Sequence, residues 1–281
     1  MHFALIAVIV LALLFLLYLF LIAPTSRKDK QNAYAPLLGW DYAHRGLHDG
    51  GPQFPENSLP AFQRAMDCKF GIELDVQLTA DDQLVVFHDK TLKRVCGEDV
   101  QLGALTLAQL RKYRLHGGEC SIPTFDEFLD LVGGKVPLII EIKFYHKLKQ
   151  TSQMVWERLK TYSGAYCIES FHPMVVRWFW RNAPEVVRGQ LSNSISDGRQ
   201  SGTPLLYLII LSNLLSNALC RPDFIAYNHS FRKNLSLRLA CLFFHPLTAL
   251  WTIRSREDYL SLKGCYDMLI FEQFLPNQPS Q

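Results

Sequence analysis

The feature that most constrains this chain is an alternation of short apolar runs with helical patterns, repeated eight times. The runs 39–44, 70–76, 136–142, 165–170, 187–191, 224–228, 247–252 and 267–271 read as strands. Helical patterns occupy 58–68, 106–114, 124–132, 148–162, 173–183, 204–219, 232–242 and 255–263. Ser58, Thr106, Thr124 and Ser255 stand where helix caps belong. One further run, 84–88, follows the second strand through Thr79-Ala80-Asp81-Asp82-Gln83 and reads as its hairpin partner. Strands alternating with helices predict an α/β fold with a parallel sheet, most simply closed as a (β/α)8 TIM-type barrel. Of the 281 residues, roughly 250 follow the N-terminal apolar segment, the size of one such barrel.

That segment, Phe3 to Ala23, is almost uninterrupted apolar and, at about 20 residues, long enough to cross ~30 Å of hydrocarbon. A cleaved signal peptide is the alternative. No basic stretch precedes the run, and Ala23-Pro24 offers no good small-x-small cleavage site, so a retained transmembrane helix is expected. The expected organisation is an anchor at 1–23, a polar linker with Pro24 and Pro36 at 24–37, and a barrel domain at 38–281. Arg27, Lys28 and Lys30 follow the span, so the positive-inside rule places the domain on the cytoplasmic side of a single-pass protein. The same residues could rest on anionic headgroups or be a solvated linker. A second apolar stretch, Pro204 to Cys220, is interrupted by Ser212, Asn213, Ser216 and Asn217. It reads as a barrel helix or apolar insertion, or as a surface dipping into the bilayer; a second full span would break the barrel.

The net charge of +3 is too balanced for a nucleic-acid partner. Seven scattered cysteines without a CxxC pair argue against a disulfide framework or a zinc site, and most are expected in the core. Oligomeric state is not legible.

Polar residues fall at the C-terminal ends of the strands, where parallel barrels carry their active sites. His44 and Arg45 end the first strand, and His88 ends the hairpin strand. Glu73 and Asp75 end the second, and Glu141 and Lys143 the third of the parallel set. Each pair is spaced by two and so shares a face. Two histidines can divide the base and acid roles of a displacement at phosphorus, carboxylates can hold a divalent cation, and arginine can neutralise phosphate charge. The bland reading keeps each as a hydrogen-bonded histidine or as an ion pair of Glu73 and Asp75 with Arg45. His48, His116, His146, His172, His229 and His245 read as surface or local structural residues.

Together these pieces resemble the glycerophosphodiester phosphodiesterase family. The resemblance rests on His44-Arg45-Gly46, Pro55-Glu56-Asn57-Ser58, Gly71-Ile72-Glu73-Leu74-Asp75-Val76 and Val86-Phe87-His88-Asp89. Ile122-Pro123-Thr124-Phe125, Glu141-Ile142-Lys143, Ser170-Phe171-His172-Pro173 and Trp251-Thr252 extend it over about residues 39 to 275. It implies a TIM-type barrel with a small insertion after the second strand, within 78–123. It implies His44 and His88 as the acid/base pair and Glu73, Asp75 and Glu141 as metal ligands. Arg45 and Lys143 would contact phosphate, and Asn57 would help bind metal or substrate. Ser170 and Trp251 are further candidate substrate contacts, with helix capping and barrel packing as their bland alternatives. An all-oxygen ligand set suits Mg²⁺ or Ca²⁺.

The implied activity is metal-dependent hydrolysis of a glycerophosphodiester to glycerol 3-phosphate and an alcohol. The alternatives are lysophospholipase D-type hydrolysis of lysophospholipids and a non-catalytic membrane-bound scaffold. Two places depart from the family pattern: Ile253-Arg254 after Trp251-Thr252, and Asp267 to Glu272 in the last strand. Both bear on the alcohol side of the substrate. Glu272, near the end of the last strand, could approach the site but receives no role.

Overall fold

The computed structural model of the chain describes residues 2–25, 31–200 and 203–276. Arg27, Lys28 and Lys30, on which the orientation reading rests, lie outside the described residues. A long apolar helix, α1 (His2–Ile22), leads by way of a short helix, α2 (Gln31–Tyr34), into the barrel.

Strand β1 (Asp41–Ala43) is followed by α3 (Leu59–Asp67), and β2 (Gly71–Leu78) by its antiparallel partner β3 (Leu84–Val86). The insertion carries α4 (Lys93–Cys96) and α5 (Leu107–Leu110), and α6 (Phe125–Val132) returns the chain to the barrel wall. Then come β4 (Leu138–Ile142), α7 (Leu148–Leu159), β5 (Tyr166–Ser170), α8 (Pro173–Asn182) and β6 (Arg188–Ser192). The stretch after β6 folds as α9 (Ile195–Gln200), α10 (Leu205–Ser212) and α11 (Asn217–Cys220). β7 (Phe224–Asn228), α12 (Leu235–Phe244), β8 (Leu247–Ile253), α13 (Arg256–Leu262) and β9 (Met268–Phe271) complete the fold. The parallel strands run β1-β9-β8-β7-β6-β5-β4-β2, and β1 pairs with β2, so the barrel is closed; β3 hangs on β2 outside the ring.

Side-chain parity divides each strand between two environments. Ile72, Leu74 and Val76 of β2, Leu138, Ile140 and Ile142 of β4 and Ile168 of β5 face the helices in the main core. The alternate set fills the barrel: Tyr42, Ile139, Cys167, Phe224, Ala249, Met268 and Ile270, with Leu37 from the entering segment. The filling is tight. A Cβ placed on Gly189 would come within 2.2 Å of the Phe224 ring, so the strand can pass there only as glycine. Above this apolar floor the same inward rows turn charged.

The eight parallel strands and the hairpin strand lie where the hydrophobic runs put them. All four expected caps form, each accepting the backbone N–H three residues on: Ser58, Thr106, Thr124 and Ser255. The insertion after β2 carries its own small core, including Phe87, Leu92, Val95, Leu102 and Leu110. Four expectations change. The single helix over 204–219 is two, because the chain turns at 213–216 with Leu214 at φ 58°. The helix α9 was not expected, although Ser194 caps it by accepting from the Asp197 N–H. Within the expected linker 24–37, Gln31–Leu37 is helical and buries Leu37 in the barrel floor. All seven cysteines are free, but only Cys167 and Cys220 are buried.

Candidate active site

The inward parity of the strand ends builds the site. His44 lies two residues beyond inward Tyr42, Asp75 two beyond Glu73, Trp251 two beyond Ala249, and Glu272 two beyond Ile270. A cavity of about 320 Å³, open solvent included, sits at this end of the barrel. His44, Arg45, Glu73, His88, Glu141 and Trp251 line it, together with Glu169, Phe171, Leu191 and Ile270. A larger open cleft of about 770 Å³ lies beside α10, but Lys233 is its one charged lining residue and it holds no carboxylate.

The carboxylates converge on a point. One ligand atom each from Glu73, Asp75 and Glu141 lies within 4.8 Å of the others. The backbone N–H of Arg45, held at φ 55°, donates to Glu73 Oε2 at 3.0 Å. Asn57 Nδ2 donates to Asp75 Oδ2 at 2.8 Å, and Arg45 Nε lies 3.3 Å from the same oxygen. Lys143 is buried and ion-pairs with Asp75 Oδ1 at 2.9 Å and Glu141 Oε2 at 2.7 Å. Lys143, to which the resemblance gives a phosphate contact, is thus buried and meets the carboxylates directly. Asp75, Asn57 and Lys143 support the lining residues from behind.

The charge balance is uneven. Glu73 is pushed well above the usual carboxylate range by burial and by Asp75, Glu169 and Glu141. Burial and Asp75 raise Glu141 to about 7 even though Lys143 opposes them. Burial also raises Asp75, but Lys143, His88 and Arg45 outweigh it and hold that group well below its usual value. Glu141 Oε1 and Glu169 Oε2 are buried with no hydrogen-bond partner among the described residues. Four buried carboxylates share Arg45 and Lys143, with open oxygens remaining. Such a set fits a hard divalent cation bound through oxygen.

Both histidines are oriented by carboxylates. His44 Nδ1 lies 2.5 Å from Glu272 Oε2, and His88 Nδ1 lies 2.5 Å from Asp89 Oδ1. A neutral ring that donates Nδ1–H to its carboxylate presents the Nε2 lone pair. His44 Nε2 is 3.9 Å from Glu73 Oε2. Burial and Arg45 lower His44 to about 4 although Glu272 opposes them. Burial and Lys143 lower His88. The supports extend outward: Arg254 Nε donates to Glu272, and Arg94 bridges Asp89 and Glu56, which in turn accepts from Arg45.

Ser170 does not reach the cavity. It shares the outward parity of Ile168, donates to the Ile142 carbonyl at 2.8 Å, and accepts from the His172 N–H. The helix cap beyond it is His172, whose ring accepts from the Met174 N–H. The inward residue of that strand is Glu169, which the sequence reading passed over. Trp251 does line the cavity, edge-on to Phe171 at 5.5 Å, and its buried Nε1–H has no partner among the described residues. Glu272, which its strand position places near the site without a role, holds His44, and His48, read as a surface or local structural residue, lies with Nε2 3.6 Å from Glu272 Oε2. An acidic residue on the inward parity of the last strand was the available signal for Glu272. His48 reaches the site through a loop and carried none.

Fold and site together define a (β/α)8 barrel with a carboxylate-and-histidine centre at the C-terminal ends of its strands. A family model described as the glycerophosphoryl diester phosphodiesterase family matches residues 44–230, more than half of the chain. The chain belongs to that family. Over 110 residues it is 42% identical to a glycerophosphodiester phosphodiesterase of Caldanaerobacter subterraneus subsp. tengcongensis, covering 36% of this chain and 44% of the relative. It is 32% identical over 130 residues to the lysophospholipase D GDPD1 of Homo sapiens, covering 40% of each. The chain spans about half the length of the curated relatives it matches. Among solved structures it resembles an Oleispira antarctica phosphodiesterase in complex with the product sn-glycerol-3-phosphate. That likeness has a TM-score of 0.68 and 22% identity, covering 85% of this chain and 94% of that one. A glycerophosphodiester phosphodiesterase from Thermotoga maritima gives a TM-score of 0.62 at 23% identity, covering 82% and 92%. At these identities the structural likeness speaks for the fold.

Proposed function

We propose that this protein is a membrane-anchored phosphodiesterase that hydrolyses glycerophosphodiesters to glycerol 3-phosphate and an alcohol. The observation that carries the reading is a pair of histidines on one cavity, each with Nδ1 against a carboxylate, beside a converging carboxylate set. Family membership supports the same reaction class.

His44 takes the proton of the nucleophile, either a glycerol hydroxyl or water, at Nε2, and His88 gives a proton to the leaving alkoxide. In the hydroxyl route a cyclic phosphate forms first and the two roles reverse for its hydrolysis. Glu272 and Asp89 hold the rings in register and stabilise each imidazolium as it forms. Glu73, Asp75 and Glu141 would hold a divalent cation, Mg²⁺ or Ca²⁺. When bound, that cation neutralises charge on the phosphate. Arg45 adds a guanidinium on the cavity wall, and Lys143 and Asn57 fix Asp75.

A second reading, lysophospholipase D-type hydrolysis, is favoured by the wall formed by Phe171, Leu191, Trp251 and Ile270, which suits an apolar group. Product analysis separates the two. The full chain is incubated with glycerophosphocholine and with lysophosphatidylcholine, and the phosphorylated products are identified. Glycerol 3-phosphate as the main product supports the first reading. Turnover confined to lysophosphatidylcholine, leaving lysophosphatidate, moves the assignment to the second. Turnover of neither would leave the barrel as a binding scaffold.

The proposed organisation is an anchor at 1–23, a connector at 24–37 and a catalytic barrel at 38–281, with the barrel on the cytoplasmic side. Retention of α1 is supported by its specific seat on the barrel. Tyr18 Oη lies 2.6 Å from Ser236 Oγ, Asn217 Nδ2 donates to the Ile22 carbonyl at 2.9 Å, and the Ile22 side chain is buried.

A further inference from the structure

The seat of α1 has a geometric consequence. The helix has 21 residues, or about 32 Å at ~1.5 Å per residue, barely more than the ~30 Å of a hydrocarbon core. Yet it meets the barrel well before its end. Phe15 packs edge-on against Phe243 of α12, ring centroids 6.2 Å apart. Phe15 lies seven residues before Ile22, about 10 Å along the axis. Phe15 lies inside the apolar run Phe3–Ala23, so where that run fills the hydrocarbon Phe15 is within it. Wherever α1 spans, Phe15 is in lipid, and Phe243 is beside it.

The surface around Phe243 has the composition such a position requires. Leu242, Phe243 and Phe244 are 65%, 48% and 37% exposed, and Leu235 at the other end of α12 is 65% exposed. On α10, Leu206 is 70% exposed and Leu205 nearly half. α10, α11 and α12 contain no acidic residue, and Arg238 is their one charge. A scattered exposed leucine needs no explanation, but a run of them continuous with a membrane helix does.

We propose that the α10–α12 side of the barrel is a bilayer-docking surface, with Leu242, Phe243 and Phe244 sunk below the headgroups beside α1. The inference rests on the reading of α1 as a retained bilayer helix. Contact along α12 from Leu235 to Phe244 would lay this side of the barrel on the lipid surface.

The test is photo-crosslinking of the full chain in phosphatidylcholine and phosphatidylglycerol vesicles. Three single variants carry the probe: Phe243→p-benzoylphenylalanine, Leu11→p-benzoylphenylalanine in α1, and Asp130→p-benzoylphenylalanine on α6, across the barrel. Each variant is first checked for an unchanged Tm. The expected result is a lipid adduct at position 243 within a few-fold of that at position 11, with none at position 130. Adducts at position 11 but not at 243 overturn the docking surface and leave the anchor intact. Adducts at neither overturn the anchor reading, and the inference falls with it. A protein–protein adduct at 243 overturns the proposal in favour of a second copy of this chain as the occupant.

Discussion

At the residue scale, the site is governed by carboxylates that hold other groups in place. Glu272 is the clearest case. Burial raises its pKa, but His44, His48 and Arg254 outweigh burial and hold it well below the usual carboxylate range. Glu272 is thus an ionised acceptor that fixes the His44 ring. Glu272→Gln keeps the shape and loses the charge. It is expected to lower kcat by about 100-fold or more with KM little changed, as a mis-oriented general base does. Steady-state kinetics checks this, and an equal rise in KM would point to substrate binding instead. Glu56 offers a pH test away from the carboxylate centre. Burial raises it, but Arg94 and Arg45 outweigh burial and hold it at about 2. Its folded value is therefore depressed, so its contribution is complete above about pH 4.5 and is lost as pH falls toward 2. Glu56→Gln is expected to cost about 1–2 kcal/mol at pH 7, discounted for the half-exposed Arg94, and progressively less as pH falls toward and below 2. Denaturant melts of the two proteins across that range measure the difference.

At the element scale, the strands were legible because each alternates or runs apolar within turn signals, and the capped helices because Ser or Thr stands at each start. The same period that revealed the strands also decides what each residue faces. Applied to β5 it assigns Glu169 to the barrel interior and Ser170 to the helices, so Ser170 was chosen by motif against parity. The break between α10 and α11 is not legible in the sequence, because one apolar helix and two shorter ones share one composition. The seat of α1 on α11 and α12 could not be read at all, since tertiary contact leaves no local pattern. The barrel floor gives a direct prediction. Gly189→Ala forces a methyl group into the buried Phe224 ring. It is expected to destabilise the barrel by about 1–3 kcal/mol, lowering Tm by several degrees. An unchanged Tm would mean that the floor is looser than described.

At the scale of the whole molecule, one barrel carries an apolar floor, a charged mouth and an apolar side, and the three serve different ends. The floor supplies stability. The mouth concentrates buried carboxylates whose charge Arg45 and Lys143 balance only in part. The side that meets α1 is apolar. The central claim is that the mouth performs metal-dependent hydrolysis through two histidines. The measurement that tests it most directly is glycerol 3-phosphate release from glycerophosphocholine by the full chain, with Mg²⁺, with Ca²⁺ and with chelator, beside a folded His44→Ala variant. The expected result is release that requires a divalent cation and falls by about 100-fold or more in the variant. Release that persists in chelator, or that His44→Ala leaves unchanged, would contradict it.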